Sequence, residues 1–118
     1  MTNYKITKTF DERANESKEI TDKYPNRIPL IVEKLDNKND NIIPKIDKNK
    51  YLVPDDLTVG QLVYVVRKRI KITPEKAIFI FCDNKLLNSG LTMREVYENH
   101  KDKDGFVYII YSGESTFG

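Results

Sequence analysis

At 118 residues the chain is long enough for one domain with one core and too short for two. Its 39% hydrophobic and 32% charged residues exclude disorder throughout, and 20 basic against 18 acidic groups leave no clustered positive excess, so no nucleic-acid partner is expected. The single cysteine, Cys82, excludes an internal disulfide and a multi-thiol zinc site, and neither a metal nor a cofactor is expected.

The first ten residues alternate charged with apolar side chains and lack the continuous apolar stretch of a signal peptide. Residues 3–8 predict a short helix with Tyr4 and Ile6 as its contacts. Thr9 and Glu12 have capping-box spacing, which predicts a helix over 10–23 with Phe10, Ala14 and Ile20 as a thin packing face. Tyr24-Pro25-Asn26-Arg27 breaks it, and the β-branched run over 28–34 predicts a strand. The stretch 35–47 is rich in Asn, Asp and Lys, interrupted by Ile42-Ile43-Pro44, and reads as a long loop leading to a second strand over 50–54. These two strands are expected to form a hairpin.

Thr58 and Gln61 give a second capping box, followed by Val59, Leu62, Val66 and Ile70 at helical spacing and by Arg67-Lys68-Arg69, where positive charge suits the helix dipole. Residues 77–82 and 106–111 are apolar runs of strand length, and Thr92 with Glu95 caps a helix ending near His100. Residues 112–118 are small, polar and aperiodic, and are expected to form a flexible tail. No apolar run is long enough to span a bilayer, so a membrane role is expected to come from modification or a partner. After residue 27 the order is strand, strand, helix, strand, short helix, strand. That order predicts an α+β fold, the ubiquitin-like β-grasp, with an N-terminal helical segment (1–27) packed on the domain (28–111).

Tyr24-Pro25-Asn26-Arg27-Ile28-Pro29, Ile31-Val32-Glu33-Lys34, Lys50-Tyr51-Leu52-Val53-Pro54, and Asp56-Leu57-Thr58-Val59-Gly60-Gln61 running into Arg67-Lys68-Arg69-Ile70 together resemble the autophagy-related ubiquitin-like modifiers. The animal members of that family include the GABA-receptor-associated protein and microtubule-associated light chain three. The ending Tyr111-Ser112-Gly113-Glu114-Ser115-Thr116-Phe117-Gly118 is similar to the family's processed tail. The resemblance implies conjugation of Gly118 to phosphatidylethanolamine in autophagosome formation, with the chain cytoplasmic or lipid-anchored on the autophagosome membrane. A terminal glycine suits this chemistry, because a carboxylate with no Cβ beside it can enter a narrow enzyme channel and be adenylated. The implied partners are activating and conjugating enzymes, a processing or deconjugating cysteine protease, membrane phosphatidylethanolamine, and receptor or adaptor peptides with an aromatic-x-x-aliphatic motif.

Carried over by position, the resemblance implies that Glu16, Ile20, Pro29, Ile31, Lys50, Leu52 and Phe106 frame an aromatic pocket. It assigns an aliphatic pocket to Tyr51, Val53, Pro54, Leu57, Leu62 and Val65, and the acids flanking the motif to Arg27, Lys48, Lys50 and Arg69. Leu62 stands where the animal members commonly carry Phe, which implies a wider aliphatic pocket. From periodicity alone Ile31, Leu62 and Phe106 read as core, and Lys50 and Arg69 as solvated charges. Ile78-Phe79-Ile80-Phe81 matches a second family surface for helical ubiquitin-interacting motifs, but reads first as core. Three other functions remain open on the sequence: a modifier joined to protein lysines, a noncovalent adaptor, and an enzyme using Cys82 as nucleophile and His100 as base. The last is the weakest, since a lone apolar-run cysteine is more often a small buried hydrophobe and no catalytic residue is expected.

Overall fold

The structure, a computed structural model, describes residues 3–36 and 43–115. Gly118 and the end of the expected tail lie outside the described residues, as does 37–42 of the expected loop.

Two helices open the chain, α1 (Asn3–Thr7) and α2 (Phe10–Lys23). The strands β1 (Arg27–Lys34) and β2 (Lys50–Pro54) pair antiparallel, with Ile31 opposite Lys50 and Pro29 opposite Leu52. Then follow α3 (Val59–Ile70), β3 (Phe79–Cys82), β4 (Lys85–Leu86), α4 (Met93–His100) and β5 (Val107–Ser112). The sheet order is β2-β1-β5-β3-β4 with β1 and β5 parallel at its centre, the β-grasp arrangement. All three capping boxes form: the hydroxyls of Thr9, Thr58 and Thr92 accept from the backbone N–H groups of Glu12, Gln61 and Glu95, whose side chains return the bond.

Side chains alternate across a sheet, and here each face meets a different partner. Ile28, Leu30 and Val32 of β1, with Val107, Ile109 and Tyr111 of β5, join Val59, Leu62, Val66 and Ile70 of α3 in the main core. Ile31 of β1 joins Phe106 and Tyr4 in a second, smaller cluster that Ile20 and Tyr108 cover, beneath the N-terminal helices.

Several boundaries differ from the sequence reading. The third strand begins at Phe79 rather than residue 77, β4 is additional, and Ser112 is the enclosed last residue of β5 rather than part of a tail. Ile6, expected as a contact of the first helix, is 64% exposed, while Tyr4 is buried. Ile43 leaves the long loop to enter the main core, and the Tyr111 hydroxyl donates to the Pro44 carbonyl at 2.7 Å, tying that loop to the sheet.

Candidate functional site

The site begins with what docks α2 on the sheet. Arg13 is buried and donates from Nε to Asp104 Oδ2 at 2.8 Å, and from its terminal nitrogen to the Lys8 and Lys5 carbonyls at 2.7 and 3.3 Å. Asp104 is enclosed, and also accepts from the Phe106 backbone N–H at 2.9 Å and from the Tyr108 hydroxyl at 2.5 Å. Ser17 of α2 donates to the Asp104 carbonyl. Burial first, and the Asp104 hydrogen bond second, push the Tyr108 hydroxyl's pKa well up, so it stays a donor. One ion pair thus joins α1, α2 and the turn before β5.

On the sheet face under α2, the residues expected around the aromatic pocket stand together. Glu16 and Ile20 project from α2, Pro29 and Ile31 from β1, and Lys50 and Leu52 from the paired positions of β2. Ile31 and Phe106 have virtually no accessible surface, so they form a floor, and Glu16, Ile20, Lys50 and Leu52 supply the partly open wall. Tyr4, outside the expected set, packs edge-on against Phe106 with ring centroids 5.5 Å apart. Its hydroxyl donates to Glu16, which also receives Lys50 Nζ and faces Lys8 Nζ at 3.8 Å. Burial works to raise the Glu16 pKa, but the hydrogen bonds from Lys50 and Tyr4 outweigh it, and the carboxyl is held below its ordinary range.

The residues expected around the aliphatic pocket belong to the opposite face. Tyr51 and Val53 point from β2 toward the main core, with Tyr51 and Leu57 partly buried against it. Val65 of α3 is half-buried and Pro54 exposed at the end of β2. Leu62 is fully enclosed, so it backs this side without offering surface.

Between these faces runs the outer edge of β2, which closes one side of the sheet. An open groove of about 630 Å³ lies along it, lined by Ile20, Asp47, Lys48, Asn49, Lys50, Tyr51 and Leu52. Asp47 and Asn49 were not expected there, because a polar loop carries no periodicity to mark them. Of the four cations expected to meet acids, Lys48 stands over the Tyr51 ring at 5.1 Å and Lys50 over the Tyr4 ring at 5.6 Å. Arg69 donates from Nε and a terminal nitrogen to the two oxygens of Asp47 at 2.7 and 3.2 Å, and these bonds hold the Asp47 carboxyl below its ordinary range. Arg27 does not join them. It pairs with Pro54 at the far end of the ladder, roughly 13 Å along the strand from the Ile31–Lys50 pair.

Cys82 is enclosed, and burial first, then Asp83, pushes its thiol up to about 12, which keeps it protonated and a poor nucleophile. His100 Nδ1 is engaged with Asp83 at 3.0 Å. Ile78, Ile80 and Phe81 are buried and Phe79 is half-buried, so little of that run is available as a surface. Among the described residues no group of His, Cys, Asp and Glu could hold a metal ion, and no helix is long and apolar enough to cross a membrane.

A family model described as autophagy protein Atg8, ubiquitin-like, matches residues 12–118. The chain is 58% identical over 115 residues to autophagy-related protein 8e of Arabidopsis thaliana, covering 98% of this chain and 92% of that protein. It is 59% identical over 110 residues to autophagy-related protein 8 of Schizosaccharomyces pombe, covering 93% and 88%. The crystal structure of Trypanosoma brucei ATG8 superposes with a TM-score of 0.89 at 42% identity, covering 100% of this chain and 99% of that one.

Proposed function

The chain belongs to the Atg8 family of ubiquitin-like autophagy proteins, and from that premise we propose how it works: conjugation through Gly118 to phosphatidylethanolamine, and capture of aromatic-x-x-aliphatic peptides along the edge of β2. It is an autophagy ubiquitin-like modifier. The two acyl chains of the lipid, at roughly 0.8 kcal/mol per buried CH₂, would hold the conjugate on the autophagosome membrane. Activating and conjugating enzymes would load Gly118, and a cysteine protease would process or release it.

The observation that carries the peptide reading is the division of the two expected pockets between opposite faces of one edge strand. A peptide that adds to this edge as a strand alternates its side chains, so residues an odd number of positions apart point to opposite faces. An aromatic residue and an aliphatic one three positions on therefore reach the α2 face and the α3 face respectively, while the backbone pairs with β2. Two such anchors at roughly 1.5 to 3 kcal/mol each, less the cost of ordering the peptide, support a reversible, micromolar complex.

Two experiments test the two halves. Lys50→Ala with Leu52→Ala is expected to weaken a synthetic peptide of this pattern about tenfold, the loss of one partial anchor, with the thermal unfolding transition retained. Unchanged affinity with an intact fold would remove the groove reading. The mass of the C-terminal peptide recovered from membranes of the native source identifies the group on Gly118. A phosphatidylethanolamine adduct supports the lipid branch, and a lysine-linked peptide or a free carboxylate overturns it.

A further inference from the structure

Two of the cations expected to meet the motif's acids, Lys50 on the groove and Arg69 behind its Asp47 wall, are already paired in the free protein, and with carboxylates held very differently. Glu16 is 25% exposed at its side chain and is gripped by Tyr4 from α1 and Lys50 from β2, with Lys8 close by. Asp47 is 71% exposed at its side chain, sits in the polar loop on the groove wall, and its cation is Arg69. Arg69 meets it with two donors on two oxygens, the fork geometry an arginine offers any carboxylate. An exposed pair of this kind is weakly held and readily exchanged, whereas a half-buried carboxylate with several donors is not.

Resting on the groove reading above, we propose that Asp47 is an internal competitor for the acidic residues of the bound motif. A ligand carboxylate takes the place on Arg69 that Asp47 leaves, while Glu16 keeps Lys50. Arg69 is then the specificity-determining cation, and recognition of the acidic flank is an exchange of one carboxylate for another. The exchange lowers the gain from an acidic flank twice over. The internal pair is lost, and the released Asp47 remains on the groove wall beside the ligand's own negative charge. A peptide with no acids leaves the internal pair undisturbed.

The test uses the full chain and two synthetic peptides measured by calorimetry: one with two aspartates before an aromatic-x-x-aliphatic core, and a twin with two asparagines there. Asp47→Asn is expected to tighten the aspartate peptide roughly two- to fivefold, the scale of one exposed ion pair, and to leave the asparagine twin unchanged. In the Arg69→Gln background the same substitution is expected to tighten the aspartate peptide by clearly less, the share due to Asp47's own charge, and to leave the asparagine twin unchanged. Equal binding of the aspartate peptide to the unaltered chain and to Asp47→Asn overturns the proposal. So does equal tightening of both peptides, or a gain that is undiminished without Arg69, since either would reflect net charge and not exchange at one cation. Failure of both peptides to bind the unaltered chain removes the groove reading itself and this proposal with it.

Discussion

Replacing Asp104 by Asn probes the junction on which the aromatic half of the groove depends. Asp104 is enclosed and serves three donors: Arg13 Nε at 2.8 Å, the Tyr108 hydroxyl at 2.5 Å and the Phe106 backbone N–H at 2.9 Å. Asparagine keeps one carbonyl oxygen but turns an amide NH₂ toward two of those donors and leaves the buried Arg13 guanidinium without its counter-ion. Breaking one side of a buried pair costs about 3 to 5 kcal/mol. Arg13 retains the Lys8 and Lys5 carbonyls, and the Tyr108 hydroxyl can rotate to accept, which puts the expected loss near the lower figure, about 3 kcal/mol. Urea unfolding at pH 7 measures it. Native-state amide exchange locates it, with α1 and α2 losing protection ahead of β1 and β5 because the lost bonds join those helices to the sheet. Since Glu16 and Ile20 ride on α2, peptide affinity should fall with helix protection. A loss under about 1 kcal/mol, or equal deprotection of sheet and helices, would refute the role given to this ion pair.

Gly105 lies at φ 92°, and a Cβ there would collide with Ser17 Oγ. Gly105→Ala is therefore expected to cost about 2 kcal/mol or more in urea unfolding, part of it steric against Ser17 and part from the backbone. A pH dependence follows from Glu16, whose folded pKa is held below the ordinary 4.5. A carboxyl depressed in the folded state contributes stability that is present above its unfolded pKa and lost as pH falls through the folded one. The urea midpoint of the unaltered chain should thus exceed that of Glu16→Gln at pH 6, and the gap should close as pH drops through and below 4.5; a gap that stays constant down to pH 3 would contradict it.

The elements that the sequence declares most plainly are those whose chemistry is local. Each capping box is a hydroxyl and a carboxyl or amide three residues apart, and all three helices start where that spacing says. Strand β4 escapes notice because Lys85 and Leu86 are two exposed residues held only by pairing with Cys82 and Phe81. In α1, five residues carry too little periodicity to choose between Tyr4 and Ile6, and the choice rests on Phe106, about a hundred positions away in the chain. Nothing in the sequence singles out Arg13 and Asp104 for the same reason: their burial depends on each other across a separation of 91 residues. Periodicity does mark Ile31, Leu62 and Phe106 as core, and they are enclosed. The family resemblance supplies what periodicity lacks, the gathering of Glu16, Ile20, Lys50 and Leu52 onto one face. Arg27 lies on β1 at the end of the ladder beside Pro54, apart from the other three cations.

The same edge strand shows why the proposed motif and the N-terminal helices belong to one device. A β-grasp sheet without α1 and α2 would present Pro29, Ile31, Leu52 and Phe106 to solvent, an apolar face beside an unpaired strand edge, which is an aggregation hazard. The helices cover most of that face and leave open the margin nearest β2, where Ile20, Lys50 and Leu52 meet. The opposite face is covered by α3, again to within reach of β2, with Tyr51 and Leu57 half-buried at the margin. The edge is thus left with one partly open margin above and one below, and lysines on the flank. A strand added there gains backbone bonds along β2 and can bury alternate side chains on both sides. The three-residue spacing between its anchors is the shortest odd spacing above adjacent positions, and it spans roughly 10 Å along the strand. The Arg13–Asp104 pair, by fixing α2, sets how wide the upper margin is.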